Sequence, residues 1–369
     1  MAFNIKPATT QVKAPFNGHL NPNEVFGSIY NMIISQDVRY PELVDNYGFV
    51  EMFRTDGSLY GDTKLFYAQD VLSSREWLGD AEAQNLLSVE RPDDPKCQAI
   101  TINQFRIIKT SLDNYLTKRA WSTEGAFSTF QGIVKSMIGQ TKKLYEVGLV
   151  NTYLGTVEGG AARSTVEVPL SDITETGEAK NRLEAQTIAQ HLADLIVDMK
   201  DYSRDFNDYG FMRAYSEGDL MFIWNSKYVN KINKIDLPTI FNKAGLMDKF
   251  EQHVLPARYF GTINAEGGTT GPANTSVRSL VEKDFGGKHL FPGDLLPNET
   301  AYLAGETYTV DEDTICKVIT KDTIKYMSAF ETATEFWNPQ ALITSNMLIW
   351  GYANPDRLLD QPCVTVHAD

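Results

Sequence analysis

The chain has 369 residues, of which 42% are hydrophobic and 22% are charged, a composition typical of a folded globular protein rather than a disordered or fibrous one. Its net charge of -14 disfavours tight binding to nucleic-acid backbones, although loose contact with nucleic acid stays open. The three cysteines are far apart and include no CxxC pair, which predicts neither a disulfide framework nor a zinc site and favours folding in a reducing cytoplasm. The sequence predicts no secretory signal and no membrane-spanning segment.

The first part of the chain predicts an extended arm. Residues 1–22 are rich in Pro, Asn, Gln and Thr and show no periodicity, and Asn23 then begins a short amphipathic helix. The apolar residues of this helix follow helical spacing: Val25, Phe26, Ile29, Tyr30 and Ile33. Because such an arm has little core of its own, we expect it to be mobile or to lie across another surface.

Two extended runs follow the arm between Phe49 and Val71. The turn-forming pairs Asp56-Gly57 and Gly61-Asp62 separate them, which predicts a long hairpin with a polar tip. A further extended run, AITINQFRIIKTSL, begins at Ala99. Its apolar residues suit a sheet: Ile100, Ile102, Phe105, Ile107 and Ile108.

Residues 123–155 predict one long helix, since no proline interrupts them. The apolar stripe of this helix is formed by Phe127, Phe130, Val134, Met137 and Leu144. Gly125, Gly132 and Gly139 lie nearly opposite the stripe, and each costs about 1 kcal/mol of helix stability relative to alanine. Either the glycines are tolerated on a solvated face, or a second layer crosses too closely for side chains, or the helix bends.

The second half of the chain mixes helices and strands. A helix is predicted from about Glu178 to Phe206, with one apolar face: Ile188, Leu192, Leu195, Met199 and Tyr202. A buried strand at residues 220–224 leads into a helix that Asn225 or Ser226 can cap. Residues 261–300 are rich in turn formers. Strands return at YTV (308–310), TICKVITKDTIKYM (314–327) and ALITSNMLIWGYA (341–353).

A search for motifs that carry chemistry finds none. The sequence has no P-loop, GxGxxG, GxSxG or HExxH motif. The histidines show no ligand spacing and are expected to be structural or surface residues: His19, His191, His253, His289 and His367. The acidic run at residues 311–313 lacks the rest of a calcium loop and is expected to be a solvated turn. We therefore predict no catalytic, cofactor-binding or metal-binding residue, and no cofactor.

The order of these elements, together with four stretches, resembles a known family. The stretches are ITINQFRIIKTSLDNYLTKRAW, DLMFIWNSKYVNKI, LPARYFG and ETATEFWNPQALITSNMLIWGYA. Over nearly the whole chain they resemble the major capsid proteins of tailed bacteriophages, with the Hong Kong 97-like fold, and most of all those of small podoviruses. No single motif among them is as specific as a metal-binding signature.

The resemblance implies an α+β fold with four parts. Residues 1–48 would be the N-terminal arm and residues 49–109 the extended loop. Residues 110–155 and 311–350 would form the peripheral domain, which contains the long spine helix at residues 123–155. Residues 156–310 and 351–369 would form the axial domain.

The resemblance also implies a function. The chain would be a structural protein, not an enzyme, that self-assembles into pentamers and hexamers of the icosahedral head enclosing the phage DNA genome. Implied partners are copies of itself, a portal, scaffolding and minor head proteins, and packaged double-stranded DNA through loose non-specific contact, without a membrane. The location would be the virion, after assembly in the host bacterial cytoplasm. The arm and the extended loop would lie on neighbouring subunits, and the glycines would leave room for such a layer.

Two alternatives stay open at this point. An encapsulin-like compartment shell protein would share the fold and enclose a cellular enzyme. A cytoplasmic α/β enzyme with an unrecognised site would instead show a concave pocket with strongly shifted titrating groups.

Overall fold

The computed structural model describes residues 48–56, 63–74, 76, 91–102, 104–113, 124–233, 250–263, 284–285, 288–289, 308–311 and 313–369. The predicted arm and its helix at Asn23 lie outside the described residues, as does almost all of the loop-rich segment 261–300. The chain divides into two compact units. One comprises residues 1–44, 108–140 and 333–348, and the other comprises residues 45–107, 141–332 and 349–369.

The described residues form a mixed α+β structure, as predicted. The helices are α1 (Gly48–Phe53), α2 (Glu124–Thr156), α3 (Glu178–Lys200) and α4 (Ser226–Asn233), with one 3₁₀ turn at Ala257–Tyr259. The strands up to residue 263 are β1 (Arg54–Asp56), β2 (Thr63–Ala68), β3 (Lys96–Thr101), β4 (Gln104–Asp113), β5 (Thr165–Val168), β6 (Leu220–Asn225), β7 (Glu251–Leu255) and β8 (Gly261–Ile263). The later strands are β9 (Asp284–Phe285), β10 (Lys288–His289), β11 (Tyr308–Val310), β12 (Thr314–Thr320), β13 (Ile324–Asn338), β14 (Ile343–Tyr352), β15 (Asp356–Arg357) and β16 (Cys363–Ala368).

A five-stranded sheet with the order β5, β16, β12, β6, β7 carries a large apolar core. Strand β12 is antiparallel to both of its neighbours, whereas the edge strands β5 and β7 pair in parallel. Every residue of β6 and β12 is buried, because both faces of these central strands are covered. The predicted buried strand at residues 220–224 is thereby confirmed.

Helix α3 packs on this sheet through the predicted face. Ile188, Leu192, Leu195 and Met199 are buried in the core, which confirms the helical spacing read from the sequence. The predicted end near Phe206 is wrong, since the helix ends at Lys200 and Tyr202 is exposed. Asp201 has an extended backbone, and the polar run after it turns back on itself.

The start of α4 follows the capping rule. The Asn225 side-chain oxygen accepts a hydrogen bond from the Lys227 backbone N–H at 3.0 Å, and its amide donates to the Thr314 carbonyl at 2.9 Å. Asn225 therefore caps the helix and also joins it to β12. The predicted cap at this position is confirmed.

A second sheet has the order β1, β13, β14, β4, and β15 also pairs with β13. The predicted pairing of the two runs between Phe49 and Val71 is wrong. Residues 48–53 are helical because Val50 and Phe53 bury one face, and β1 pairs in parallel with β13, with Arg54 opposite Tyr326. Strand β2 instead forms an antiparallel hairpin with β3.

Helix α2 has the predicted bounds to within a residue at each end, but its buried face differs from the predicted stripe. Met137 and Leu144 are 44% and 40% exposed. The side chains of Phe127, Phe130 and Val134 lie outside the described residues. Among the described side chains of α2, the first buried one is Lys142, and Tyr145, Leu149, Val150, Tyr153 and Leu154 are buried after it.

Candidate assembly surface

The β2–β3 hairpin presents two different faces because side chains alternate along a strand. Its outer face consists of three directly opposed pairs: Thr63 with Thr101, Leu65 with Ala99, and Tyr67 with Cys97. All of these residues are exposed, Leu65 by 49% and Tyr67 by 66%, and none of them is charged. We call these six residues the outer hairpin face. An exposed, uncharged face that includes Leu65 and Tyr67 is a candidate interaction surface.

The opposite face of the hairpin belongs to the core of its own chain. Phe66 and Ile100 pack in a cluster with Ile102, Met327, Ala329, Ala353 and Leu358. Within the described part of the chain, β2 and β3 pair only with each other. The hairpin is therefore held from one side and open to a partner on the other.

A second apolar surface lies along β4. Phe105 and Ile107 lie in a sheet strand, as predicted, and their side chains are exposed. Phe105 of β4 lies over Gly351 of β14. Ser111 comes six residues after Phe105, Ser345 comes six residues before Gly351, and the hydroxyl oxygens of these two serines are 3.0 Å apart. The two strands are therefore antiparallel. The sequence pattern identified the strand but not which of its faces is open.

The glycines of α2 have two different environments. Among the described residues, a Cβ added to Gly132 or Gly139 would meet nothing within 4 Å, so this part of the chain places no layer there. A Cβ on Gly155 would lie 1.9 Å from the Tyr259 carbonyl oxygen. The close approach that the sequence suggested for the earlier glycines therefore occurs at Gly155, which the heptad spacing did not single out.

Buried charges fix the central part of α2. The Lys142 ammonium lies 2.6 Å from a Glu331 carboxylate oxygen and 3.9 Å from Glu146, and the Tyr326 hydroxyl donates to Glu146 at 3.0 Å. Glu146 is fully buried, and removing a partner from such a pair would leave an uncompensated charge. These contacts stabilise the helix.

The acidic turn before β12 is structural rather than merely solvated. Asp311 accepts hydrogen bonds from the Asp313 backbone N–H at 2.8 Å and from the Thr314 hydroxyl at 2.5 Å. Burial alone would raise the pKa of Asp311, but the Thr314 and Asp313 hydrogen bonds hold it below its usual value. Glu312 lies outside the described residues.

The predicted structural histidines have ordinary surroundings where their side chains are described. His191 lies 2.9 Å from the Thr187 carbonyl, His253 contacts the ring of Phe49, and His367 lies 3.5 Å from Asp311. His19 and the side chain of His289 lie outside the described residues. In the described ranges, no three His, Cys, Asp or Glu side chains are grouped as metal ligands.

The three cysteines and Lys317 are potentially reactive groups. All three cysteines are free: Cys97 is exposed, and burial raises the pKa of Cys316 and Cys363. Lys317 is buried and donates to the Val157 carbonyl just past the end of α2, and burial lowers the pKa of its ammonium. None of the described helices has both the length and the apolar character that a membrane span requires.

Comparison with known proteins agrees with the fold. The structure is similar to a chain of the capsid of Staphylococcus phage Andhra (TM-score 0.56, 10% identity, 90% of this chain and 88% of that chain). It is also similar to a chain of the mature capsid of bacteriophage PhiM1 (TM-score 0.55, 9% identity, 90% of each chain). A chain from native bacteriophage P68 matches at TM-score 0.58 with 12% identity, over 90% of this chain and 88% of that one. At these identities the likeness shows the fold, which is the Hong Kong 97-like fold.

The family follows from the sequence match. The Phi29-like phage major capsid protein family matches residues 9–350, nearly the whole chain. No curated protein matches the chain. The family match favours a phage capsid protein over the compartment shell and the enzyme that the sequence left open. The chain belongs to the Phi29-like phage major capsid protein family and is a structural protein of the icosahedral phage head, located in the virion capsid.

Proposed function

We propose that the protein forms pentamers and hexamers of the head, and that the outer hairpin face of each copy packs on a neighbouring copy. One observation carries this proposal: an exposed face of six residues without a charge, on a hairpin whose other face is anchored in its own core. Repetition of this contact under closed symmetry would convert many weak interfaces into a stable container.

The parts of the chain would divide this work. We assign residues 1–48 to the N-terminal arm and residues 49–109 to the extended loop that carries the hairpin. The peripheral domain would comprise residues 110–155 and 311–350, and the axial domain would comprise residues 156–310 and 351–369.

The open face at Gly132 and Gly139 would receive a layer from a neighbouring subunit, so Gly132→Leu should leave the free chain folded and lower the yield of shells. An unchanged yield would refute this part of the proposal.

The partners would be a portal, scaffolding and minor head proteins, with assembly in the host bacterial cytoplasm and no catalytic activity. The packaged double-stranded DNA would make only loose contact, because a chain with a net charge of -14 does not favour counterion release from phosphates. A wall of this charge can enclose DNA without holding it tightly.

Electron microscopy tests the proposal. The protein is expressed alone and together with its neighbouring head genes, and the particles are examined by negative stain. We expect closed shells, or rings of five and six copies, in the co-expressed sample. Single compact particles at high protein concentration in both samples would contradict the proposal.

A further inference from the structure

The end of β2 from which the chain continues toward β3 is tied to the segment that follows α3. The Asp70 carboxylate accepts a hydrogen bond from the Arg204 guanidinium and another from the Met212 backbone N–H at 2.9 Å. Beside it, the Arg213 guanidinium donates to the Gln69 carbonyl at 3.1 Å. The end of β2 is thus held through both a side chain and the backbone.

The β3 side is tied separately to the segment around β15. The Gln98 side-chain amide donates to the Arg357 carbonyl at 2.7 Å, and its oxygen accepts from the Leu359 backbone N–H at 3.1 Å. Both polar atoms of one half-buried side chain are therefore occupied by backbone groups. Such a pair of bonds fixes the position of the strand as well as its distance from the segment.

The two segments that hold the hairpin, residues 203–213 after α3 and residues 357–359 around β15, are bonded to each other, and we call them together the frame. Asp208 and Arg357 make a two-pronged, largely buried ion pair, and the backbone N–H of Asp208 donates to the Leu359 carbonyl at 2.9 Å. Ser203 and Arg213 exchange two backbone hydrogen bonds of 3.0 Å. These bonds hold the frame together without any contribution from the hairpin.

We propose that Asp70 and Gln98 are positioning residues, which hold the hairpin against its own subunit in one orientation before a second copy binds its outer face. The packing of Phe66 and Ile100 holds the middle of the hairpin, and the bonds of Asp70 and Gln98 add a fixed point on each strand, which limits tilting about the packed face. The proposal rests on the proposed role of the hairpin in assembly, and it adds that the hairpin is oriented in advance. A hairpin that is already oriented loses less conformational entropy when it binds a neighbouring copy.

The charge on Asp70 supports this assignment. The hydrogen bonds from Arg204 and Met212 lower the pKa of Asp70 to about 2, so the carboxylate is ionised at neutral pH. The bond to Arg204 is therefore charge-assisted, and it is stronger than a bond between neutral groups.

The test compares Asp70→Asn, Asp70→Ala and Gln98→Ala with Asp94→Asn, which makes the same chemical change as the first variant at an exposed aspartate. In the unassembled full-length chain, we expect hydrogen exchange at the β2 and β3 amides to rise roughly fivefold in the first three variants, with an unchanged melting temperature. The Asp94→Asn variant should exchange like the wild type. Exchange that is unchanged in all three anchor variants would overturn the proposal.

Assembly separates positioning from simple stabilisation. We expect the anchor variants to give incomplete or wrongly curved particles while the free chain remains folded. Faster exchange with normal shells in normal yield would overturn the positioning role and leave the proposed assembly function intact. A failure of the wild-type protein to assemble would count against the proposed function, and the exchange measurement would still test the anchor.

Discussion

Gly155→Ala is expected to lower the free energy of unfolding by about 3 kcal/mol, the upper end of the usual cost of overpacking. The new Cβ would lie 1.9 Å from the Tyr259 carbonyl oxygen and 3.1 Å from the Phe260 backbone nitrogen. Both are backbone atoms, so relief requires either α2 or the 3₁₀ turn to shift. Chemical denaturation of the unassembled chain measures the change.

The matched control is Gly139→Ala in the same helix. A Cβ there meets no atom of the described residues within 4 Å, so the alanine should stabilise the free chain by about 0.5–1 kcal/mol through its better helix propensity. The two substitutions are chemically identical and should have opposite signs. Stabilisation by both would contradict the packing described for the end of α2.

Leu65→Asp is expected to abolish shell formation and to leave the free chain nearly as stable as the wild type. Leu65 is 49% exposed in the single chain, so the change should alter its stability by no more than about 0.5 kcal/mol. In an assembled shell, each copy would bury an unpaired carboxylate, which costs about 3–5 kcal/mol per contact when no partner compensates it. Sedimentation and electron microscopy of the co-expressed protein measure the outcome.

Val197→Asp is the control for this substitution. Val197 is an exposed apolar residue on α3, outside the outer hairpin face, and the variant should still form shells. Normal shells from the Leu65→Asp variant would remove the outer hairpin face from the assembly contact.

The sequence predicted correctly the elements that are specified by residues close together in the chain. The buried run at residues 220–224 and its cap Asn225 are readable because a strand length, a cap and a helix start follow each other within a few residues. The bounds of α2 could also be predicted, since no proline interrupts residues 123–155.

Contacts between distant parts of the chain could not be predicted from the sequence. Residues 49–56 looked like one arm of a hairpin because turn residues follow them, yet β1 pairs with Tyr326 and its neighbours in β13. The spacing of Val50 and Phe53, three residues apart, was the one signal of a helix there. Gly155 is similar, because only the fold brings the Tyr259 backbone against it.

The candidate surface was hidden for a different reason. Residues 65–67 are Leu, Phe and Tyr, so the strand shows no alternation of polar and apolar residues from which to assign faces. The structure separates them: Phe66 packs in the core, whereas Leu65 and Tyr67 are open. The resemblance to capsid proteins predicted that this loop contacts a neighbour, and the register of β2 and β3 identifies the face available for it.

The most direct measurement is the reactivity of Cys97 toward a thiol reagent before and after assembly. Cys97 lies on the outer hairpin face opposite Tyr67, whereas Cys316 and Cys363 are buried. The free chain should therefore show one reactive thiol, and assembled shells should show almost none until they are dissociated. Equal reactivity of Cys97 in free chains and in intact shells would contradict the account.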